Sequence, residues 1–410
     1  MKKIHVGLLV DEFFGAWGTA FGGYGFLARK LIAKYLPNEE FEVDVILGKN
    51  RNGFLSNFRH SELEVETDGV RTKLYYSPRR RYFTKRWLKK QAYDLFLSIE
   101  YGEGSVGKFV NELGIPLLVW IQDPRPWSDW REIQSAKLLQ ETVYYSQKTY
   151  DELHELFLKG YVHFVSQAEC LVEKARDLYR LLDAAKIDML RNPIDVDESF
   201  DFATCKKKDQ ILFLGRIESV KRGWLFCEIA KAMPENTFVM CGQAFRDKEE
   251  MSPVMRRYAD IPNLKFVGHV DGEVKERYLR ESKILVNTSI HEALPVSYLE
   301  ALANGVCIVS NQNPDNLAGR FGVDVGRVPG DGFDAVDRYV TAIRSLMNDD
   351  CLRIEKATAG LAYVKRYHER RMIIDQLRTT IKQVLEVFSG CRSERFAWRS
   401  IIKDALMRLF

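Results

Sequence analysis

Asn287-Thr-Ser-Ile-His-Glu292-Ala-Leu-Pro295-Val-Ser-Tyr-Leu-Glu300-Ala-Leu-Ala-Asn-Gly305 is the stretch that decides the fold. Ile284 to Asn287 is a short run of strand type, apolar up to its closing Asn287, and from Pro295 to Asn304 apolar residues recur at helical spacing. Val306 to Ser310 is again strand-like. Strand, turn, helix, strand is a βαβ unit, and such units build parallel sheets covered on both faces. Pro295 suits the first helical position. The free amides around Leu294, Val296 and Ser297 then form an anion site at the helix N-terminus. Glu292 lies in the turn and Glu300 on the helix, with seven residues between them. They are too far apart to hold the same atoms, so they suit two hydroxyl-bearing parts of one long ligand, each carboxylate accepting two or more hydrogen bonds. An amphipathic helix with one exposed glutamate is the plain alternative, and the flanking pattern outweighs it.

Working outward, the same alternation fills the second half. Gln210 to Leu214, Asn236 to Cys241 and Leu264 to Gly268 read as strands; Lys221 to Met233 and Glu273 to Glu281 read as helices. The first half repeats it, with strands at Lys3 to Val10, Phe41 to Leu47, Tyr93 to Ile99, Ile115 to Ile121 and Tyr161 to Ser166, and a helix at Tyr24 to Tyr35. Asn192-Pro193 breaks the pattern, because a residue before proline is pushed out of helix, and polar Asp195 to Lys208 reads as a linker. The chain is therefore expected to hold an α/β domain over 1–192, a second over 193–385, and a basic amphipathic helix over 386–410. Its 410 residues exceed one ordinary core.

In open α/β sheets ligands sit beyond the carboxyl ends of the strands. Gly215-Arg216-Ile-Glu-Ser-Val-Lys221-Arg222-Gly223 follows one such end. Arg216 leaving the strand and Lys221 at the helix start are placed to grip a diphosphate from two sides. Lysine there opposes the helix dipole, a conflict that hints at function; a solvated basic turn is the alternative. Gly268-His269 at another strand end would meet a nucleotide base, although a lone histidine is more often structural.

The likeness then becomes specific. The Glu292-to-Glu300 segment with its trailing Ala-Leu-Ala-Asn-Gly resembles the paired-glutamate motif of retaining glycosyltransferases of family four, which have the GT-B fold of two Rossmann-like domains facing across a cleft. Gly215-Arg216 with Lys221 looks like their phosphate-gripping turn, with Arg222 inserted before the glycine. Asn192-Pro193-Ile194-Asp195 looks like the end of their first domain, and Gly22-Gly23 like their N-terminal glycine loop. The resemblance implies that Arg216 and Lys221 neutralise the departing nucleotide diphosphate, that Glu292 holds donor-sugar hydroxyls, and that Glu300 holds the ribose. It places the amides of Leu294 and Pro295 to Ser297 against sugar and phosphate, and the turn after Gly268 against the base. It implies a nucleotide diphosphate sugar as donor substrate, with no cofactor and no metal; Asp195-Val196-Asp197 reads as solvated linker charge. One departure stands out: relatives carry histidine where this chain has Gln122, before Asp123. Gln122 and Asp123 remain candidates to hydrogen-bond a sugar, with Trp120, Trp127 or Trp130 stacking on it; a proline-stiffened loop with aromatic packing is the alternative.

Composition excludes little else. Hydrophobic residues make up 46% and charged residues 29%, a globular balance with a formal charge of +4. The 7 cysteines are dispersed without a close pair, as a reducing compartment tolerates. With no leader-like or spanning apolar run, the expected location is cytoplasmic, with peripheral contact at the inner membrane face. That contact is expected from the basic, aromatic run Pro78 to Lys90 and from the amphipathic tail Arg392 to Phe410; the tail's alternative is docking on the first domain. Nucleic acid is not an expected partner, and a glycan or lipid-linked acceptor is. A sugar-nucleotide epimerase, a phosphorylase and a nonenzymatic nucleotide-sugar-binding module are the rival functions on the same fold.

Overall fold

The computed structural model describes residues 2–47, 62–67, 70–76, 81–102, 107–200, 205–244 and 248–407; for residues 17, 62–67, 70–76, 81–84, 108 and 391–407 it describes the backbone alone. The expectations for Pro78 to Arg80, for 201–204 of the linker, and for the side chains of the tail lie outside the described residues.

The first half carries eight strands: β1 (Ile4–Val10), β2 (Phe41–Leu47), β3 (Glu62–Thr67), β4 (Val70–Tyr76), β5 (Leu95–Ile99), β6 (Leu117–Ile121), β7 (Val162–Ser166) and β8 (Ile187–Met189). Their order is β3-β4-β2-β1-β5-β6-β7-β8, parallel throughout except for the β3–β4 hairpin at one edge. The second half carries β9 (Gln210–Leu214), β10 (Thr237–Cys241), β11 (Leu264–Gly268), β12 (Ile284–Asn287), β13 (Cys307–Ser310) and β14 (Gly322–Asp324). Their order, β11-β10-β9-β12-β13-β14, is fully parallel and reverses direction between β9 and β12. This is the doubly wound arrangement, once per half.

Central strands β5, β6, β12 and β13 are buried along their whole length, as strands covered on both faces must be. Burying each such Leu, Ile or Val contributes roughly 1.5–3 kcal/mol. Trp120 belongs to this core: it is 0% exposed and its indole N–H donates to the Leu190 carbonyl at 2.7 Å. It does not stack on a ligand.

The chain passes to the second half at Asn192–Ile194 and returns beside the same residues. Ile194 N–H donates to His368 O at 2.8 Å, and Arg370 N–H to Ile194 O at 3.1 Å. The helix Arg370–Met407 then runs over the first half. Its Ile373, Ile374, Leu377, Ile381 and Val384 join one core cluster with Val6, Leu8 and Leu36. Residues 373–384, which the sequence groups with the second half, thus pack on the first.

No helix among the described residues is long and apolar enough to cross a membrane. The helix Arg81–Gln91 turns Leu88 fully into the core, and Trp87 packs toward Tyr93 at 6.1 Å between rings. These two apolar groups therefore do not face a membrane surface. Arg86, Lys89 and Lys90 are exposed, and Lys85 pairs with Glu112 at 2.6 Å.

Candidate active site

Strand order reverses at two places, between β1 and β5 and between β9 and β12. The carboxyl ends of all four strands open into one cleft of about 700 Å³. Of the residues the sequence singled out, Gly22, Gly23, Gln122, Asp123, Gly215, Arg216, Lys221, His269, Glu292, Leu294, Pro295, Val296, Ser297 and Glu300 line it, as does Trp130, whereas Trp120 and Trp127 do not.

On the second-half wall, Gly215 leaves β9 beside Gly242, whose missing β-carbon would fall 1.8 Å from the Gly215 carbonyl oxygen. The turn Ser219–Lys221 is 3-10, Arg222 adopts φ 47, and the helix starts only at Gly223. Lys221 therefore precedes the helix rather than opening it, and the expected clash with the dipole does not arise. Lys221 Nζ lies 2.5 Å from Glu292 Oε1. The same oxygen accepts from Ser289 Oγ at 2.6 Å and Asn287 Nδ2 at 3.0 Å. All three bonds fall on Oε1, which leaves Oε2 for a ligand hydroxyl. Burial opposes ionisation of Glu292, but Lys221 and the two neutral donors outweigh it and hold the carboxyl below its ordinary value. Arg216 is 22% exposed and lies 3.5 Å from Glu218 and 3.8 Å from Glu12. Its buried Nη1 makes no hydrogen bond among the described residues, and those two carboxylates balance its charge.

The helix Val296–Ala303 begins one residue later than expected, with Pro295 as its extended cap, ψ 132. The amides of Val296 and Ser297 occupy its first turn, where no carbonyl precedes them. Gly23 faces this point from the other wall: a β-carbon there would lie 3.5 Å from Val296 Cγ2. A β-carbon at Gly22 would meet Glu12 Oε1 at 2.0 Å, so a larger residue there would displace the Glu12 carboxylate. Glu300 Oε1 pairs with Lys275 Nζ at 2.7 Å, and Lys275 Nζ stands 4.5 Å above the Phe26 ring. His269 is tilted against Phe21 at 4.1 Å, and burial lowers its pKa below the ordinary histidine value.

The first-half wall is built differently. Asp123 accepts from Arg125 Nε at 2.8 Å and Nη2 at 2.6 Å, and its other oxygen meets His291 Nε2 across the cleft at 2.9 Å. Burial alone would raise its pKa; Arg125 and His291 reverse this and hold it well below the carboxylate range. Gln122 is 2% exposed, and its amide is matched reciprocally with Asn192 at 3.0 and 2.9 Å. Glu100 accepts from the Gln122 and Asp123 amides at 2.8 and 2.7 Å and from Tyr179. Burial dominates there and raises its pKa. Trp130 is buried beneath Tyr144, ring centroids 4.6 Å apart, whereas Trp127 is 51% exposed and outside the cleft lining.

Sequence reading missed Glu12, Glu100, Arg125, Tyr144, Lys275 and His291 as lining residues. Glu12 and Glu100 follow β1 and β5 directly, so the strand-end rule applied to the first half points to them. Tyr144 sits in an irregular segment with no period to mark it.

Residues 196–358 match the family model of glycosyl transferases group 1. The 2-deoxystreptamine N-acetyl-D-glucosaminyltransferase of Niallia circulans is 27% identical over 225 residues, which are 50% of this chain; the chain spans 56% of that relative's length. Sucrose-phosphate synthase from Thermosynechococcus elongatus superposes with a TM-score of 0.69 at 15% identity, over 94% of this chain and 100% of that one. Anabaena Alr3699/HepE, solved in complex with UDP, gives 0.65 at 12% identity over 93% and 100%. The pneumococcal O-GlcNAc transferase GtfA, solved with UDP and GlcNAc, gives 0.64 at 12% over 94% and 100%. The chain has the two-domain, Rossmann-like GT-B fold, and the family match supports sugar transfer.

Proposed function

We propose that the chain is a retaining glycosyltransferase that moves a sugar from a nucleotide diphosphate sugar to a glycan or lipid-linked acceptor. The observation that carries this reading is the meeting of Arg216, Lys221, Glu292 and Glu300 around one helix N-terminus in one cleft. When the bond from the anomeric carbon to the diphosphate breaks, its electron pair leaves on a phosphate oxygen. Arg216, Lys221 and the amides of Val296 and Ser297 are placed to stabilise that charge as it forms, in a site that needs little reorganisation. The acceptor hydroxyl oxygen takes the vacated place on the same carbon, and its proton passes to the departing phosphate oxygen. Glu292 orients the sugar through its open oxygen, and Glu300 takes the ribose hydroxyls, shared with Lys275. On this reading no metal or cofactor is required, because fixed cations and amides supply the positive charge.

UDP in the HepE and GtfA structures, and the N-acetylglucosaminyl group in the curated relative's name, make UDP-N-acetylglucosamine the first donor to try. The test is thermal stabilisation against UDP-, GDP-, ADP- and dTDP-sugars, followed by donor consumption. A true donor at about a hundredfold its Kd adds roughly 2.7 kcal/mol of apparent stability. A panel in which none stabilises the chain and none is consumed sinks the proposal. Retention is read from the anomeric configuration of the product by NMR, and an inverted product overturns that part. Peripheral binding to anionic membranes is tested by flotation with anionic liposomes, and failure of the full chain to float removes it.

A further inference from the structure

Arg222 does not line the cleft, is 0% exposed, and has left-handed backbone at φ 47. A side chain costs about 1 kcal/mol in that conformation, a cost glycine escapes. Buried charge costs several kcal/mol more unless it is well compensated. Yet every acceptor around this guanidinium is neutral. Nε donates to Thr288 O at 2.7 Å; Nη1 donates to Val328 O at 2.8 Å and Gly330 O at 2.9 Å; Nη2 donates to Ser289 O at 3.1 Å and Asn311 Oδ1 at 3.4 Å. Burial pulls its pKa down to about 10, with Tyr339, Asp331, Glu132 and Asp334 opposing at longer range, so it stays charged at neutral pH.

The fork joins four segments, Asn311 beyond β13 among them. Thr288 and Ser289 begin the turn that carries Glu292. Val328 and Gly330 belong to a loop that docks on the first half, where Asp331 Oδ1 accepts from the Lys137 and Leu138 amides at 2.8 and 2.9 Å. Arg222 itself follows Lys221. Return stitches fix the register: Thr288 Oγ1 donates to Lys221 O at 2.9 Å, and Ile290 N–H donates to Val220 O at 2.9 Å.

We propose that Arg222 is a positioning residue that locks the Lys221 turn to the Glu292 turn, and so fixes where the Lys221 charge meets the leaving diphosphate. This rests on the transferase reading above. A planar fork reaching five acceptors cannot be replaced by a point ammonium.

The test is Arg222→Gly, whose backbone suits glycine, assayed with the donor the wild-type chain consumes fastest. The expected result is a folded protein with kcat lowered about a hundredfold and donor KM changed by less than about threefold. Guanidinium ion at non-denaturing concentration restores about tenfold or more of the lost kcat by refilling the vacated space, and matched sodium chloride does not. Arg222→Lys remains impaired. Thr288→Val, which removes a return stitch without touching charge, serves if Arg222→Gly does not fold, and should lose about tenfold in kcat with KM kept. Wild-type kcat in Arg222→Gly or Thr288→Val, or guanidinium that restores melting temperature but no kcat, overturns the proposal. An inactive wild-type chain counts against the transferase reading itself; an active one indifferent to Arg222 counts against the positioning role alone.

Discussion

Arg216 and Lys221 stand within six residues after β9, and Glu292 and Glu300 within one strand–turn–helix after β12. Facing them, Glu12, Glu100, Asp123 and Tyr144 come from four separate segments of the first half. The second-half wall adds short local bonds, Asn287 and Ser289 onto Glu292, to the longer-range Lys221 and Lys275 pairs. The first-half wall is held by long-range ones, Tyr179 onto Glu100 and His291 onto Asp123. The local wall suits a ligand part whose chemistry is constant, and the assembled wall suits one whose shape varies. On the transferase reading proposed above, the donor falls to the former and the acceptor to the latter, and substitution can break this division.

The largest effect is expected from Lys221→Ala and Arg216→Ala. Each should lower kcat by about 10²–10³-fold, as losing one preorganised donor to a developing oxyanion does, with a smaller change in donor KM. Steady-state donor consumption measures it, and unchanged kcat in both would dissolve the donor wall.

Asp123→Asn probes how the opposite wall is held together. Because the Asp123 pKa is depressed in the folded chain, its stabilisation is fully present above its ordinary pKa of 3.8 and is lost as pH falls below it. The variant also leaves Arg125 and His291 short of an anion. It should lose about 3 kcal/mol at pH 7, and the gap from wild type should narrow on acidification. Denaturant titrations at several pH values read this; a gap that widens toward acid contradicts the pairing.

Glu300→Ala should weaken UDP binding about tenfold by calorimetry, the cost of one charged hydrogen-bonding group, while kcat at saturation falls less. The smallest effect belongs to Tyr144→Ala. That ring is 54% exposed and borders the cleft, so folding tolerates its loss. Acceptor KM should rise about threefold with the hydrolysis of donor alone unchanged. A change in donor hydrolysis instead would show that the two walls do not divide the labour.

Legibility in the sequence followed the same division. The Glu292 turn could be read because Asn287, Ser289 and Glu292 lie within one short segment, and each flanking strand is apolar up to its last residue. The Asp123–His291 bridge joins residues 168 apart, a distance no periodicity spans. Strands β8 and β14 have three residues each, too few for a pattern to register. The hairpin escaped notice because Glu62–Thr67 places an acid at every other position, as an edge strand does to discourage further pairing. Arg222 read only as an insertion before Gly223 in the phosphate-gripping turn; the tertiary fold supplies the five acceptors that bury it.

The return of the chain across Ile194 has a consequence for biosynthesis. Because Ile373, Ile374, Leu377, Ile381 and Val384 complete the core around β1 and β2, the first half cannot mature in order of translation. It must wait on the ribosome, part of its apolar face uncovered, until the second half has been made and these residues emerge. A released chain truncated at residue 368 should therefore be digested by protease in its first half, and one that runs past residue 385 should resist.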